Sequence, residues 1–177
     1  INMEDYLASL QIEIDIEKCN EFNLARIAQM SQKTNQFNLT THRYTDSDIE
    51  NKVQNGDWVY CISVRDKFGD NGITGEIIIA KDGNKALIDT LLLSCRILGK
   101  GIEEAFIKTI LGLLKEQGVE MLEADYFPTL KNAQVKDFYE RMGFDLDNED
   151  AVGNKHYNLN LSLQDLKVKE YYKIIVK

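Results

Sequence analysis

From Leu87 to Leu93 the chain is apolar except for Asp89 and Thr90. This is how a strand covered on both faces reads, and the run is too short to span a bilayer. It breaks at Gly99-Lys100-Gly101, after which Ile102, Phe106, Ile110 and Leu114 recur, flanked by Ala105, Leu111 and Leu113. That spacing predicts an amphipathic helix starting at the loop, and Gly118 closes it. A buried strand, a short glycine loop and a helix opening offer unpaired N–H groups at the positive end of a helix dipole, which suits a phosphate or pyrophosphate. The same glycines equally serve a tight turn that only permits the bend.

The remaining pattern fills in around this unit. Asp5 to Leu10 reads as a lead-in helix, and Gln11 to Ile16 alternates as a half-exposed strand. Cys19 to Gln32 reads as a helix with Phe22, Ala25, Ile27 and Met30 inward. Lys33 to Thr45 is polar and turn-prone yet holds Phe37, Leu39 and Tyr44. It reads as a structured loop, either lining a ligand pocket with Asn35, Gln36, Asn38, Thr40 and His42 or stitched to itself by those side chains. Thr45 or Asp46 caps a helix from Ser47 to Gln54. The runs beginning at Trp58 and Ile73 are strands joined by a hairpin turn, and a turn at Lys81-Asp82-Gly83-Asn84 leads into the Leu87 strand. Val119 to Phe127 is a further strand, parallel to the Leu87 strand by the handedness of strand-helix-strand units. Ala133 to Met142 reads as a helix stopped by Gly143. Phe144–Leu146 and His156–Leu161 form a last pair, and Tyr171 to Val176 an edge strand. The order gives an α+β fold with a mixed, mostly antiparallel sheet, a central parallel pair and α-β-α layers.

Composition narrows the function. The 177 residues carry a formal charge of −8, spread along the chain, so a nucleic-acid partner is not expected. The length suits one domain, 1–177. Cys19, Cys61 and Cys95 are isolated and lack metal-ligand spacing, so they read as reduced thiols of a cytoplasmic protein, two of them in strands, with no metal. There is no signal peptide and no stretch of transmembrane length, hence no membrane association.

The Leu98-Gly99-Lys100-Gly101-Ile102 loop, with Asn132 and Phe138-Tyr139-Glu140-Arg141-Met142-Gly143-Phe144, resembles the GNAT acyltransferase fold, whose pattern includes Asn…Tyr-x-x-x-Gly-Phe. A closer resemblance rests on Ala25–Gln29, Gln32–Thr41 and Leu92–Gly99. These strings look like the C-terminal GNAT-like domain of FkbH-like proteins, in which a HAD-type domain of subfamily IIIC comes first. The Ile1 start, with 1–10 as a lead-in from such an upstream domain, fits that arrangement.

The resemblance implies an acyl-CoA or phosphopantetheine thioester between the two parallel strands, with its pyrophosphate on Gly99, Lys100, Gly101 and Ile102. Leu92 and Leu93 would hold the thioester carbonyl, and Leu98 and Asn132 would adjoin the cofactor. Tyr139 would protonate the leaving thiolate; it reads equally as a core aromatic, and Asn132 as a helix cap. No general base declares itself: Asp89, the candidate for a second catalytic group, and Glu76 read equally as solvated or capping carboxylates, and His42 either binds or deprotonates substrate or is structural. In the GNAT pattern Arg or Gln opens the loop and Gly or Ala stands two residues after its second glycine. Leu98 and Glu103 hold those positions in one register, and Arg96-x-x-Gly99-x-Gly101 supplies the other. The activity implied is acyl transfer to a small-molecule or carrier-protein acceptor. Its alternative is a non-catalytic module that binds an acyl carrier protein or intermediate for the upstream domain.

Overall fold

The computed structural model describes residues 2–177. Asn2 opens α1 (Met3–Ser9) by accepting the Asp5 N–H on its side chain. After β1 (Glu13–Lys18), the helix expected from Cys19 begins only at Leu24, giving α2 (Leu24–Lys33). The Asn20 and Asn23 side chains each accept the other's backbone N–H, at 3.0 and 2.7 Å. Those bonds compete with helix formation and leave Phe22 88% exposed rather than inward. α3 (Asp46–Gln54) starts at a Thr45 capping box closed by Asp48, the arrangement that satisfies two orphan donors at once.

Three strands then meander: β2 (Trp58–Asp66), β3 (Gly69–Asp82) and β4 (Lys85–Leu93). A turn of 3-10 helix (Cys95–Ile97) and the glycine loop lead into α4 (Ile102–Glu116), followed by β5 (Met121–Tyr126). The helix expected over Ala133–Met142 is broken into a 3-10 turn (Ala133–Val135) and the single turn α5 (Phe138–Arg141). Asn132, just ahead of it, is fixed by contacts outside this segment and does not cap it. β6 (Asp145–Glu149), β7 (Lys155–Asn160) and β8 (Lys173–Val176) complete the chain.

All eight strands share one sheet in the order β6-β7-β5-β4-β3-β2-β1-β8. Only β4 with β5 and β1 with β8 are parallel. The apolar residues of α1, α4 and α5 pack on one face, and those of α2 and α3 on the other with Val59, Cys61 and Ile78. Of the cysteines only Cys61 is buried in a strand. Cys19 lies just past β1, and Cys95 is exposed beyond β4. Among the described residues no helix is long and apolar enough to cross a membrane.

The feature that matters for function is a wedge. β4 and β5 pair only over Lys85–Ile88 against Met121–Ala124. Beyond Ile88, β4 continues beside β3 while β5 stays with β7. At that point a register shift against Ile78 and Ile79 leaves Asp89 unpaired on β4. Bulges of this kind re-aim side chains.

Gly75 holds β3 and β4 together here: a Cβ at that position would meet the Leu93 side chain and come within 3.0 Å of the Leu92 carbonyl oxygen. Overpacking of this kind costs about 1–3 kcal/mol. Gly75→Ala is therefore expected to lower the unfolding free energy by about 1–3 kcal/mol, read as a lower denaturant midpoint at unchanged slope, and an unchanged midpoint would mean the strands part freely.

Candidate functional site in the strand wedge

The wedge between β4 and β5 is filled by the chain's own residues Phe37–Thr40. The Leu93 N–H donates to the Phe37 carbonyl at 3.0 Å, the Leu39 N–H to the Leu91 carbonyl at 3.2 Å, and the Phe127 N–H to the Leu39 carbonyl at 2.9 Å. The Thr40 hydroxyl donates to the Asp89 carbonyl at 2.8 Å. Asn38 and Leu92 form an antiparallel bridge. The segment is a strap that extends β4 pairing where β5 has left. The backbone of Leu93, expected to hold a thioester carbonyl, is already bonded, and Leu92 pairs with Glu76 on the other edge.

Asn132 locks the strap. Its amide nitrogen donates to the Asn38 carbonyl at 2.9 Å and the Phe127 carbonyl at 3.0 Å, while its oxygen accepts from the Thr129 N–H and the Tyr126 hydroxyl. It is fully buried, and both amide atoms are occupied, so it neither caps a helix nor reaches a cofactor. Asn38 is likewise spent: it donates to the Thr34 carbonyl and accepts the Thr41 N–H. Asn38 and Thr40 therefore build the loop and do not line a pocket.

Tyr139 does not face the wedge's mouth. It is 1% exposed, packed against Phe138, Phe144 and Tyr157, with no hydrogen-bond partner on its hydroxyl. Burial pushes its pKa well above the ordinary tyrosine value, with the charges of Asp125 and Tyr157 adding to the rise. A phenol so placed is a core aromatic in this arrangement.

The glycine loop is also engaged. Gly99 and Gly101 adopt left-handed φ angles of 85° and 73°, which favour glycine. The Tyr172 hydroxyl donates to the Lys100 carbonyl and sits where a Gly101 Cβ would be. Gly101 thus makes room for the chain's own tyrosine. Lys100 reaches back to Asp66 at 3.4 Å, and Ile102 is buried in the core with Leu98 packed on it from outside. Glu103 is largely buried in the first turn of α4. Burial raises its pKa, and a bond to its own backbone N–H opposes the rise. An anion at this helix start meets a carboxylate already in place.

Asp89 and His42 are brought together. The Asp89 carboxylate accepts from the Tyr44 hydroxyl at 2.6 Å and the Thr90 hydroxyl at 2.8 Å, and His42 Nδ1 stands 3.4 Å away. Burial alone would raise Asp89, but the nearby His42 imidazole and the hydrogen bonds from Tyr44 and Thr90 outweigh it and bring its pKa down to about 2. The adjacent Asp89 carboxylate raises the His42 pKa in turn, with burial and Lys52 opposing. Asn35 and Gln36 lie at the other end of the strap, in an open hollow with Ser94 and Lys131. The strap's role went unread because Phe37 and Leu39 are only two apolar residues in a polar string, and nothing in a one-dimensional pattern says which strand edge a loop will meet.

This strand order, with a parallel pair opening onto a glycine loop and helix, matches solved acetyltransferases. The fold is that of the GNAT acetyltransferases. The ribosomal-protein alanine N-acetyltransferase of Escherichia coli superposes with a TM-score of 0.63 at 12% identity, over 88% of this chain and 99% of that one. A GNAT-family acetyltransferase of Staphylococcus aureus gives 0.60 at 16%, over 84% and 99%. The PaiA N-acetyltransferase of Thermoplasma acidophilum, solved in complex with coenzyme A, gives 0.58 at 16%, over 83% and 98%. No family model matches the chain, and no curated protein matches its sequence. Within the GNAT fold, the strap, Glu103 and Tyr172 hold polar groups of the groove that the resemblance would give to a thioester.

Two outcomes test this geometry. Asn132→Ala leaves the Asn38 and Phe127 carbonyls and the Thr129 N–H without partners, and should destabilise the fold by about 2–3 kcal/mol in chemical denaturation. For the His42–Asp89 pair, a raised histidine pKa stabilises below its unfolded value of about 6.5 and is lost as pH rises through the folded value, while the lowered Asp89 contributes above about 3.9 and is lost toward pH 2. The drop in melting temperature caused by His42→Gln should accordingly be larger at about pH 5.5 than at about pH 8.5. A difference that is independent of pH would mean that the pair is not coupled.

Proposed function

We propose that this chain is a GNAT-fold recognition module that serves thioester chemistry carried out by a partner domain, and that it does not hold acyl-CoA between β4 and β5. One observation carries the reading: the Leu93 N–H and Leu91 carbonyl on the open edge of β4 are bonded to Phe37 and Leu39. The buried Tyr139, the saturated Asn132 and the carboxylate of Glu103 at the α4 N-terminus support it. The resemblance of Ala25–Gln29, Gln32–Thr41 and Leu92–Gly99 to FkbH-like proteins motivates the partner class in this reading, an acyl carrier protein or its bound intermediate, presented to an upstream HAD-type glyceryl-transfer domain.

A second reading keeps acyl transfer, from acyl-CoA or a carrier-bound thioester to a small-molecule or carrier-protein acceptor. It is favoured by the retained glycine loop and by the start of α4, where no side chain caps Gly101. Coenzyme A bound to the PaiA acetyltransferase, which shares the fold, supports acyl-CoA use in general. This reading requires the strap to leave the wedge first.

Calorimetry with acetyl-CoA, paired with amide hydrogen exchange, separates the two. A ligand entering the wedge must break the Leu39 and Leu93 bonds, and their amides would lose protection. The recognition reading expects those amides to stay protected at saturating acetyl-CoA. Micromolar binding with deprotection of Leu39 and Leu93 would overturn it in favour of the transferase.

A further inference from the structure

Beside the Phe37 end of the strap lies an open hollow of about 690 Å³, walled by Arg26, Lys33, Asn35, Gln36, Ser94 and Lys131. No carboxylate lines it. Among the described residues, Arg26, Lys33 and Lys131 take part in no ion pair, Arg26 donating to the Gln29 side chain at 2.8 Å. In a chain of net charge −8, three uncompensated cations around one concavity are a local reversal of sign.

The neutral side chains sharpen it. The Asn35 oxygen accepts from Arg43 at 2.5 Å, the Gln36 oxygen from the Cys95 thiol at 3.0 Å, and the Ser94 hydroxyl oxygen from the Arg96 N–H and Nε–H at 3.3 and 3.2 Å. Each oxygen already accepts at least one bond, while two amide NH₂ groups and one hydroxyl hydrogen remain as donors toward the hollow. Arg43 also donates to the Ser31 and Thr34 carbonyls at 2.7 and 2.8 Å, which fixes the wall before any ligand arrives. Glu76, fully buried in the sheet and in electrostatic reach of Arg26, has neither oxygen hydrogen-bonded. Burial drives its pKa well above the usual carboxylate range, against the opposing charge of Arg26.

We infer that the hollow binds the phosphate group of a phosphate ester, with the ester's organic tail running over Met30 toward Cys95. Lys33, Lys131 and Arg26 supply charge-assisted bonds to the phosphate oxygens, and the Asn35, Gln36 and Ser94 donors fix its orientation. The volume falls within the range of sites for small organic ligands and exceeds that needed for an inorganic anion. The inference rests on the recognition reading and names the chemistry its site accepts. Two sources carry that chemistry: a soluble phosphorylated metabolite and the phosphopantetheine arm of a carrier protein.

The test is calorimetry of the chain with phosphopantetheine, with pantetheine lacking the phosphate, with glycerol 3-phosphate, and with a carrier protein in apo and phosphopantetheinylated forms. Phosphopantetheine should bind at least roughly 30-fold more tightly than pantetheine. The exposed double variant Lys33→Gln/Lys131→Gln should lose about 100-fold, near tenfold per removed charge-assisted contact, with its circular dichroism unchanged. Phosphopantetheinylated carrier that outbinds both its apo form and the free arm assigns the carrier as source; equal binding of glycerol 3-phosphate and the free arm, with no gain from the carrier, assigns a metabolite. Equal affinity for pantetheine and phosphopantetheine, affinity unchanged in the double variant, or no binding of any phosphate ester at about 5 mM would overturn the site. Acetyl-CoA also carries phosphates, so it separates the two inferences. Bound through the hollow, it is lost in the double variant and leaves the Leu39 and Leu93 amides protected. Bound in the wedge it survives the double variant and exposes those amides, in which case the recognition reading fails while the hollow is judged on phosphopantetheine alone.

Discussion

Two parallel strands that separate inside a sheet leave backbone donors and acceptors facing a dry gap, and such groups are costly unless bonded. The rest of this molecule is arranged around how that gap is closed. Phe37–Thr40 closes it from within, joining β4 to the end of β5 by main-chain bonds. Asn132 then ties the strap to the turn after β5, and Phe37 and Leu39 enter the core that α1, α4 and α5 share. Once the gap is filled in this way, the neighbouring residues have other work: Tyr139 becomes packing, and Gly101 becomes a seat for Tyr172.

The strap also separates two chemically distinct ends. Toward Thr40 the chain sets a bonded cluster in which one carboxylate, Asp89, organises Tyr44, Thr90 and His42. Toward Phe37 it sets a hollow in which cations and leftover donors prevail. The acidic surplus of the chain as a whole conceals the second feature, because net charge sums over a surface whereas a ligand meets only one part of it.

Much of the fold was legible along the chain. The spacing of Ile102, Phe106, Ile110 and Leu114 gave α4 its buried stripe, the hairpin turns gave the β2–β3–β4 meander, and the parallel β4–β5 pair followed from connection handedness. Where side chains bond locally to the backbone the reading slipped, as at Asn20 and Asn23, which delay α2. The site was less legible. Asn132 and Tyr139 stand in a recognisable string, but a string records residue types and spacing, not which side chain has exhausted its hydrogen bonds. The hollow depends on Arg26, Asn35, Ser94 and Lys131 meeting from four separate segments, and on Asn35 and Ser94 having their acceptors taken, neither of which has a periodic signature.

The bond from Asn132 to the Asn38 carbonyl spans 94 residues of sequence. Closing so long a loop carries an entropic cost that neighbouring contacts must first offset. The strap therefore cannot be ordered until β4, β5 and the turn at Thr129–Asn132 are already assembled. In folding it is a late arrival. Once seated, it is held by the same packing that holds the sheet: opening it would expose Phe37 and Leu39, which the core buries, and break its main-chain bonds to β4 and Phe127.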